Sequence, residues 1–217
     1  MDGFVEKKLD EFFFKYKKIN YKKGEIIIQA NEAPQHIYYL KSGIVRQYMV
    51  SEKGSELVLN IYKSLAFFPM SNAFNNKSSK YYFESLNDIV VYRAPKEAVI
   101  SFIRVNPDIQ YDLLVRLFKG IDGLLSRMAY LMSANAHKRL IAEILLYNKR
   151  FSQNESRIKS VVIEISEHEL AALTGLTRET VSRELKSLKN KELISFAKRK
   201  LMIHDITLLE SELSASE

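Results

Sequence analysis

The sequence predicts an α+β chain: an N-terminal antiparallel β-roll (a double-stranded jelly-roll), a long helix, and a C-terminal winged helix-turn-helix. Three observations carry this. Short β-rich runs separated by turn residues fill the first half, and apolar residues then recur at spacings of 4, 4, 3, 4 and 3. Finally, Ile165 to Leu185 sets small, apolar and charged residues where two short helices joined by a tight turn need them.

The roll opens with a helical segment from about Val5 to Tyr16. Ile26–Gln29, Ile37–Leu40, Ile44–Val50, Leu57–Ile61 and Ile89–Tyr92 are rich in β-branched and aromatic residues and read as strands. Gly24, Asn31, Lys41-Ser42-Gly43 and Lys53-Gly54 mark turns between them. Many short antiparallel strands at such spacing suit a small sandwich or barrel.

Asn106-Pro107-Asp108-Ile109 then starts the long helix, with Pro107 tolerated in its first turn. Leu113, Leu117, Ile121, Leu124, Met128 and Leu131 form a coiled-coil seam, and Leu114, Phe118, Leu125 and Met132 widen it. A stripe this wide can pack on the roll and on a partner helix together, so a parallel homodimer is expected. Gly120 and Gly123 each cost about 1 kcal/mol relative to alanine in a helix. They fit either close approach of another backbone or a helix left marginal so that its coiling can shift. Asn135 reads as the cap of a separate helix from His137 to Phe151, with Ser133-Ala134-Asn135 as a hinge and Ser152–Ser156 as a loop.

In the C-terminal segment Ser166 is a good N-cap, and Glu169, three residues on, can close a capping box. Leu170, Leu173 and Leu176 share a face, Ala171 and Ala172 permit close approach, and Gly175 can take the left-handed conformation of a tight turn. Thr177 caps the next helix, whose Val181, Leu185 and Leu188 point inward. The opposite face carries Arg178, Glu179, Ser182, Arg183 and Lys186. Arginine can pair bidentately with guanine, glutamate can accept from cytosine, and lysine suits phosphate, so duplex DNA is the expected partner. Leu193–Phe196 and Leu201–Ile203 read as a two-stranded wing whose tip, with Lys198, Arg199 and Lys200, offers another phosphate contact. The implied organisation is a β-roll over 1–105, a dimerisation helix over 106–134 and a DNA-binding domain over 135–217; the role of the roll is left open by the residues alone.

Composition agrees with this reading. The net charge is +7, and from His137 to Lys200 there are 14 Lys and Arg against 8 Asp and Glu, a denser basic excess than earlier in the chain. Without cysteine there is no disulfide, thiolate-bound metal or iron-sulfur cluster. His36, His137, His168 and His204 are too scattered to make a metal site by spacing. There is neither an apolar run of about 18 residues nor a signal-like N-terminus, so a cytoplasmic protein without membrane partners is expected. No phosphate-binding glycine loop, nucleophile elbow or metal-ligand pair suggests an enzyme, and no catalytic residue is assigned.

Over essentially its whole length the chain resembles the Crp-Fnr family of bacterial transcription regulators. Thr177-Arg178-Glu179-Thr180-Val181-Ser182-Arg183 is similar to the family's Ser-Arg-Glu-Thr-Val-x-Arg recognition helix, followed by the similar Leu193-Ile194-Ser195. The resemblance implies that Arg178 and Arg183 read guanine and Glu179 cytosine, in palindromic half-sites of the TGTGA or TTGAC kind. It places Thr177, Thr180, Ser182, Lys186 and Ser166 beside them, with Thr180 and Lys186 at phosphate, and it implies RNA polymerase as a further partner. An arginine after the first-helix cap holds phosphate in cAMP-binding members; Glu167 stands there in this chain.

The cyclic-nucleotide-binding-like roll departs further. Phe67 to Glu84 holds neither the Gly-Glu nor the Arg-Ser that grips a cyclic phosphate, and the hydroxyl pair that meets adenine becomes Leu124-Leu125. An apolar pair cannot make those hydrogen bonds, so cAMP is not the expected ligand. Lys77, Lys80, Tyr81 and Tyr82, with Leu124 and Leu125, are the candidate pocket for some other small-molecule effector; a solvated loop fits the same lysines and tyrosines. The alternative is a ligand-independent or architectural DNA-binding protein whose roll senses nothing.

Overall fold

The computed structural model describes residues 3–52, 54–151 and 161–214. Lys53 and the expected loop Ser152–Ser156 lie outside the described residues. The chain divides into two compact units, residues 1–118 and 119–217.

The first unit opens with α1 (Gly3–Phe13), whose Val5, Leu9 and Phe13 repeat every four residues and are buried. Eight strands follow: β1 (Lys17–Tyr21), β2 (Ile26–Ile28), β3 (His36–Ser42), β4 (Ile44–Val50), β5 (Glu56–Lys63), β6 (Phe67–Phe68), β7 (Tyr82–Ser85) and β8 (Ile89–Pro95). They form two four-stranded sheets, ordered β1-β8-β3-β6 and β2-β7-β4-β5. The short helix α2 (Met70–Asn75) interrupts them, and α3 (Lys96–Arg104) follows β8.

Strand alternation decides which core each side chain joins. Ile37, Tyr39 and Phe67 face Leu9, Phe13, Val99, Ile103 and Ile109, a core between the first sheet and the helices. Leu40, Phe68 and Val91 turn the other way and meet Ile27, Val45, Phe83 and Ile89 between the sheets. Adjacent aromatics therefore serve opposite layers. Between the sheets, Phe68 stacks on Phe83 with ring centroids 5.3 Å apart, and Tyr62 lies 5.3 Å from Phe68 and 5.9 Å from Phe83.

Two charged groups inside this unit were not anticipated. Arg46 on β4 is buried between Glu56 and Glu84, at 2.6 and 2.7 Å, with its guanidinium 4.3 Å from the Tyr48 ring centroid. Two carboxylates, one on each terminal nitrogen, make the buried charge tolerable although Nε has no partner. Arg116 donates to the Leu65 carbonyl at 2.9 Å, pairs with Asp112 and lies over Phe67. Burial holds the Arg116 guanidinium below its ordinary range.

Gly43 turns β3 into β4 at φ +96, and a Cβ built there would meet Ile89 Cγ2 at 2.6 Å and the Asp88 carbonyl oxygen at 2.9 Å. Gly43→Ala is expected to lower stability by more than about 1 kcal/mol. A lower urea midpoint at unchanged slope would register it, and an unchanged midpoint would refute it.

Helix α4 runs Pro107–Ser133. Leu113, expected in the dimer seam, is half-buried against the roll's helix-side core. Leu117, Ile121, Leu124, Met128 and Leu131 are exposed, as are Leu114, Phe118, Leu125 and Met132. A Cβ at Gly120 or Gly123 would meet nothing within 4 Å.

In the second unit α5 (Ala136–Phe151) packs against α6 (Glu167–Thr174), α7 (Arg178–Asn190) and α8 (Ile206–Ser214). Asn135 caps α5 by accepting from the Lys138 amide at 3.0 Å. The wing has three strands rather than the expected two: β9 (Val161–Glu164) pairs with β11 (Lys200–Ile203), which pairs with β10 (Ile194–Ala197). Among the described residues no helix is long and apolar enough to cross a membrane.

Candidate nucleic-acid interface

The interface is set by helix caps. Ser166 Oγ accepts from the Glu169 amide at 3.1 Å while Glu169 Oε2 accepts from the Ser166 amide at 2.6 Å, which closes the capping box. Burial pushes the Glu169 carboxyl up, but bonds from Ser166 and Arg199 outweigh it and hold the group below its usual range. Gly175 ends α6 at φ 65, and Thr177 starts α7 by accepting from the Thr180 amide at 3.2 Å. Val181, Leu185 and Leu188 are buried, as are Leu170 and Leu173 of α6, which packs against α7. Burying one stripe of α7 turns the other outward: Arg178, Glu179, Ser182, Arg183 and Lys186 are all exposed.

This face suits a polyanion with readable base edges. Its two arginines expose about 70 % of their side chains, 71 % for Arg178 and 69 % for Arg183. Glu179 accepts from its own amide and from the Thr177 hydroxyl, which keeps its carboxyl below the ordinary range and ready to accept a further donor.

Other expected residues are placed differently. The Ser166 hydroxyl is committed to Glu169 Oε2 at 2.7 Å. Lys198 and Arg199 form the two-residue wing turn at φ 46 and 67. Arg199 bonds Glu169 Oε1 and Oε2 at 2.9 and 3.0 Å, and its carbonyl accepts from the Ile165 amide, so its guanidinium braces the wing against α6. Lys198 and Lys200 are exposed. On the roll, Lys77 and Lys80 are exposed; Tyr81 is half-buried against the inter-sheet core, and Tyr82 stacks on Tyr48 at 5.2 Å.

Sequence reasoning missed the residues that hold the interface from behind, because their partners are distant in sequence. Arg127 and Arg139 donate to the last α6 carbonyls, Leu173 O and Thr174 O, each at 2.6 Å, and Arg127 pairs with Glu143. Cations there suit the negative end of the helix dipole. The space among them is about 10 Å³, room for one water. His137 Nδ1 lies 3.0 Å from Glu184 on α7, and its Nε2 lies 3.1 Å from Glu212 on α8. His204 Nδ1 donates to the Glu192 carbonyl at 2.7 Å and Nε2 lies 2.6 Å from Ser195 Oγ, a structural role beside the wing.

Comparison with known proteins bears on both units. Residues 18–106 match the cyclic nucleotide-binding domain, and residues 138–212 match the Crp-like helix-turn-helix domain. The chain belongs to the Crp-Fnr family. Among curated Crp-Fnr relatives, the global nitrogen regulator of Nostoc is 24 % identical over 190 residues, 85 % of this chain and 83 % of the relative. The cAMP-activated global transcriptional regulator of Pasteurella multocida is 24 % identical over 196 residues, 89 % and 93 % of the two chains. Among solved structures, a Crp/Fnr-family regulator of Thermus thermophilus superposes with a TM-score of 0.74 at 22 % identity, over 93 % of this chain and 100 % of the other. The c-di-GMP responsive regulator of Xanthomonas campestris gives 0.78 at 18 %, over 92 % and 99 %. This Crp-Fnr member is thus of the transcription-regulator type with a DNA-binding helix-turn-helix.

Proposed function

We propose that this Crp-Fnr member is a sequence-specific regulator that binds palindromic operators as a homodimer. The observation that carries this is the outward row Arg178, Glu179, Ser182, Arg183 and Lys186 on a helix anchored by Val181, Leu185 and Leu188. Arg178 and Arg183 read guanine, Glu179 accepts from cytosine N4, and Lys186, Thr180 and the exposed wing lysines Lys198 and Lys200 meet phosphate. Two copies joined along α4 present two such helices to successive major grooves about 34 Å apart. The exposed apolar residues from Leu117 to Leu131 support that joining. RNA polymerase is the further protein partner, and no catalytic step is assigned.

Arg178→Ala tests the reading. On the duplex that the wild-type chain enriches from a random pool, the variant is expected to lose about 1–3 kcal/mol and its preference at one guanine position. Lys186→Ala should instead weaken all sequences evenly and lower the salt slope by about 1. Fluorescence anisotropy across single-base variants separates the two. An even loss with Arg178→Ala would remove the sequence-specific reading.

The effector of the roll is not cAMP in this proposal. The missing Gly-Glu and Arg-Ser pairs support that, as do the rings of Phe68, Phe83 and Tyr62 packed between the sheets. The same rings favour a second reading, a regulator whose roll is a structural body that answers no small molecule.

A further inference from the structure

Both arginines assigned to guanine are held from the side by a carboxylate of their own domain. Arg178 Nε donates to Glu167 Oε2 at 3.4 Å, and Arg183 Nε donates to Glu184 Oε1 at 3.2 Å. In each pair the cation is exposed and the anion is sunk into the domain: 71 % against 24 % for Arg178 and Glu167, 69 % against 15 % for Arg183 and Glu184.

Neither carboxylate is loosely placed. Glu167 is the first residue of α6, and the Ser166 to Glu169 capping box fixes the backbone that carries it. A carboxylate there is also favoured by the positive end of the helix dipole. Glu184 is held by His137 Nδ1 at 3.0 Å; that ring is braced at Nε2 by Glu212, which pairs with Lys191. Lys191 and, after it, His137 hold the Glu212 carboxyl below its ordinary range. A chain of polar contacts therefore runs from Arg183 through α5 and α8 to the C-cap of α7.

The geometry has a chemical consequence for base reading. In both pairs the carboxylate takes Nε, the inner edge of the guanidinium. Among the described residues no bond is made by the terminal nitrogens of either arginine, so an end-on fork is left for guanine O6 and N7. An arginine preset in this way loses less rotamer freedom when it docks. Exposed ion pairs contribute little to fold stability, so holding the helix together is not their main effect.

We propose that Glu167 and Glu184 are specificity-determining positioning residues, each presenting a base-reading arginine to guanine. This rests on the reading of Arg178 and Arg183 above. Full-length wild type, Arg178→Ala, Arg183→Ala, Glu167→Gln and Glu184→Gln are compared on the duplex selected by wild type and on duplexes with each guanine replaced by adenine. Glu167→Gln is expected to cut discrimination about 3- to 10-fold at the base pair where Arg178→Ala erases it, a part of what a bidentate pair supplies. Salt slope and unfolding midpoint stay at the wild-type values. Glu184→Gln does the same at the Arg183 position. Full discrimination in both glutamine variants, with affinity moved evenly across all sequences, would show carboxylates acting on phosphate alone and would overturn the proposal. Were Arg178→Ala and Arg183→Ala to leave every base preference intact, the DNA-reading assignment would fall first, and this inference with it.

Discussion

A chain carrying Leu117→Glu and Ile121→Glu is expected to sediment as a monomer and to lose about 10²- to 10⁴-fold of its affinity for a two-half-site operator. Both residues are exposed on α4, at 59 % and 39 %, within a run that continues through Leu124, Met128 and Leu131. Paired glutamates at a coiled-coil seam would bury like charges against each other, a cost that apolar packing cannot offset. Neither residue belongs to the buried set that forms the cores, so the fold should persist. Affinity for a duplex with one half-site should stay near the wild-type value, because the loss lies in joining two weak contacts rather than in either contact. A variant that remains dimeric at micromolar concentration would place the interface elsewhere.

The largest expected effect on stability comes from Phe68→Ala, about 3–5 kcal/mol. Phe68 is fully buried and touches Tyr38, Tyr62 and Phe83 by ring contacts of 5.3 to 5.8 Å. Removing it opens a cavity between two sheets whose strands are fixed by their hydrogen-bond ladders and can collapse little. Against the 5–15 kcal/mol that holds an ordinary domain, this is a substantial fraction. Urea unfolding followed by near-ultraviolet circular dichroism of the tyrosines would measure it. A loss below about 1 kcal/mol would mean that the ring cluster repacks, and that the roll interior is softer than its aromatic contacts imply.

The helix-turn-helix was legible because its signals are local. Ser166 with Glu169, Gly175 and Thr177 each act within four residues, and those caps are present as read. The strands that escaped notice lack that self-sufficiency. β1 reads Lys-Lys-Ile-Asn-Tyr, an edge strand specified by its partner β8, and β9 is defined by pairing with β11, almost forty residues on. Helix α3 did carry a signal, Val99 and Ile103 four apart after Pro95, and could have been read. The opening helix spans Gly3–Phe13 rather than Val5 to Tyr16, since Phe13 is the last residue its stripe buries. Within the interface, charge marked Arg199 at the wing tip, and the ion pair with Glu169 adds a bracing role that the sequence does not show. Nothing in the sequence around Arg178 or Arg183 marks Glu167 or His137 as their support, because that support is a property of packing.

The grip of Arg127 and Arg139 on the end of α6 bears on how this domain can move. Arg127 precedes the break at Ala134-Asn135 and Arg139 follows it, yet both donate to adjacent carbonyls of the same short helix. The break is therefore splinted. Arg139 and α6 lie on the same side of the break, so bending there requires Arg127 to part from both Leu173 O and Glu143, and these two charge-assisted bonds make the end of α4 and the reading head a lever with a stiff wrist. A twist of the last turns of α4 is passed to α6 rather than dissipated at the joint.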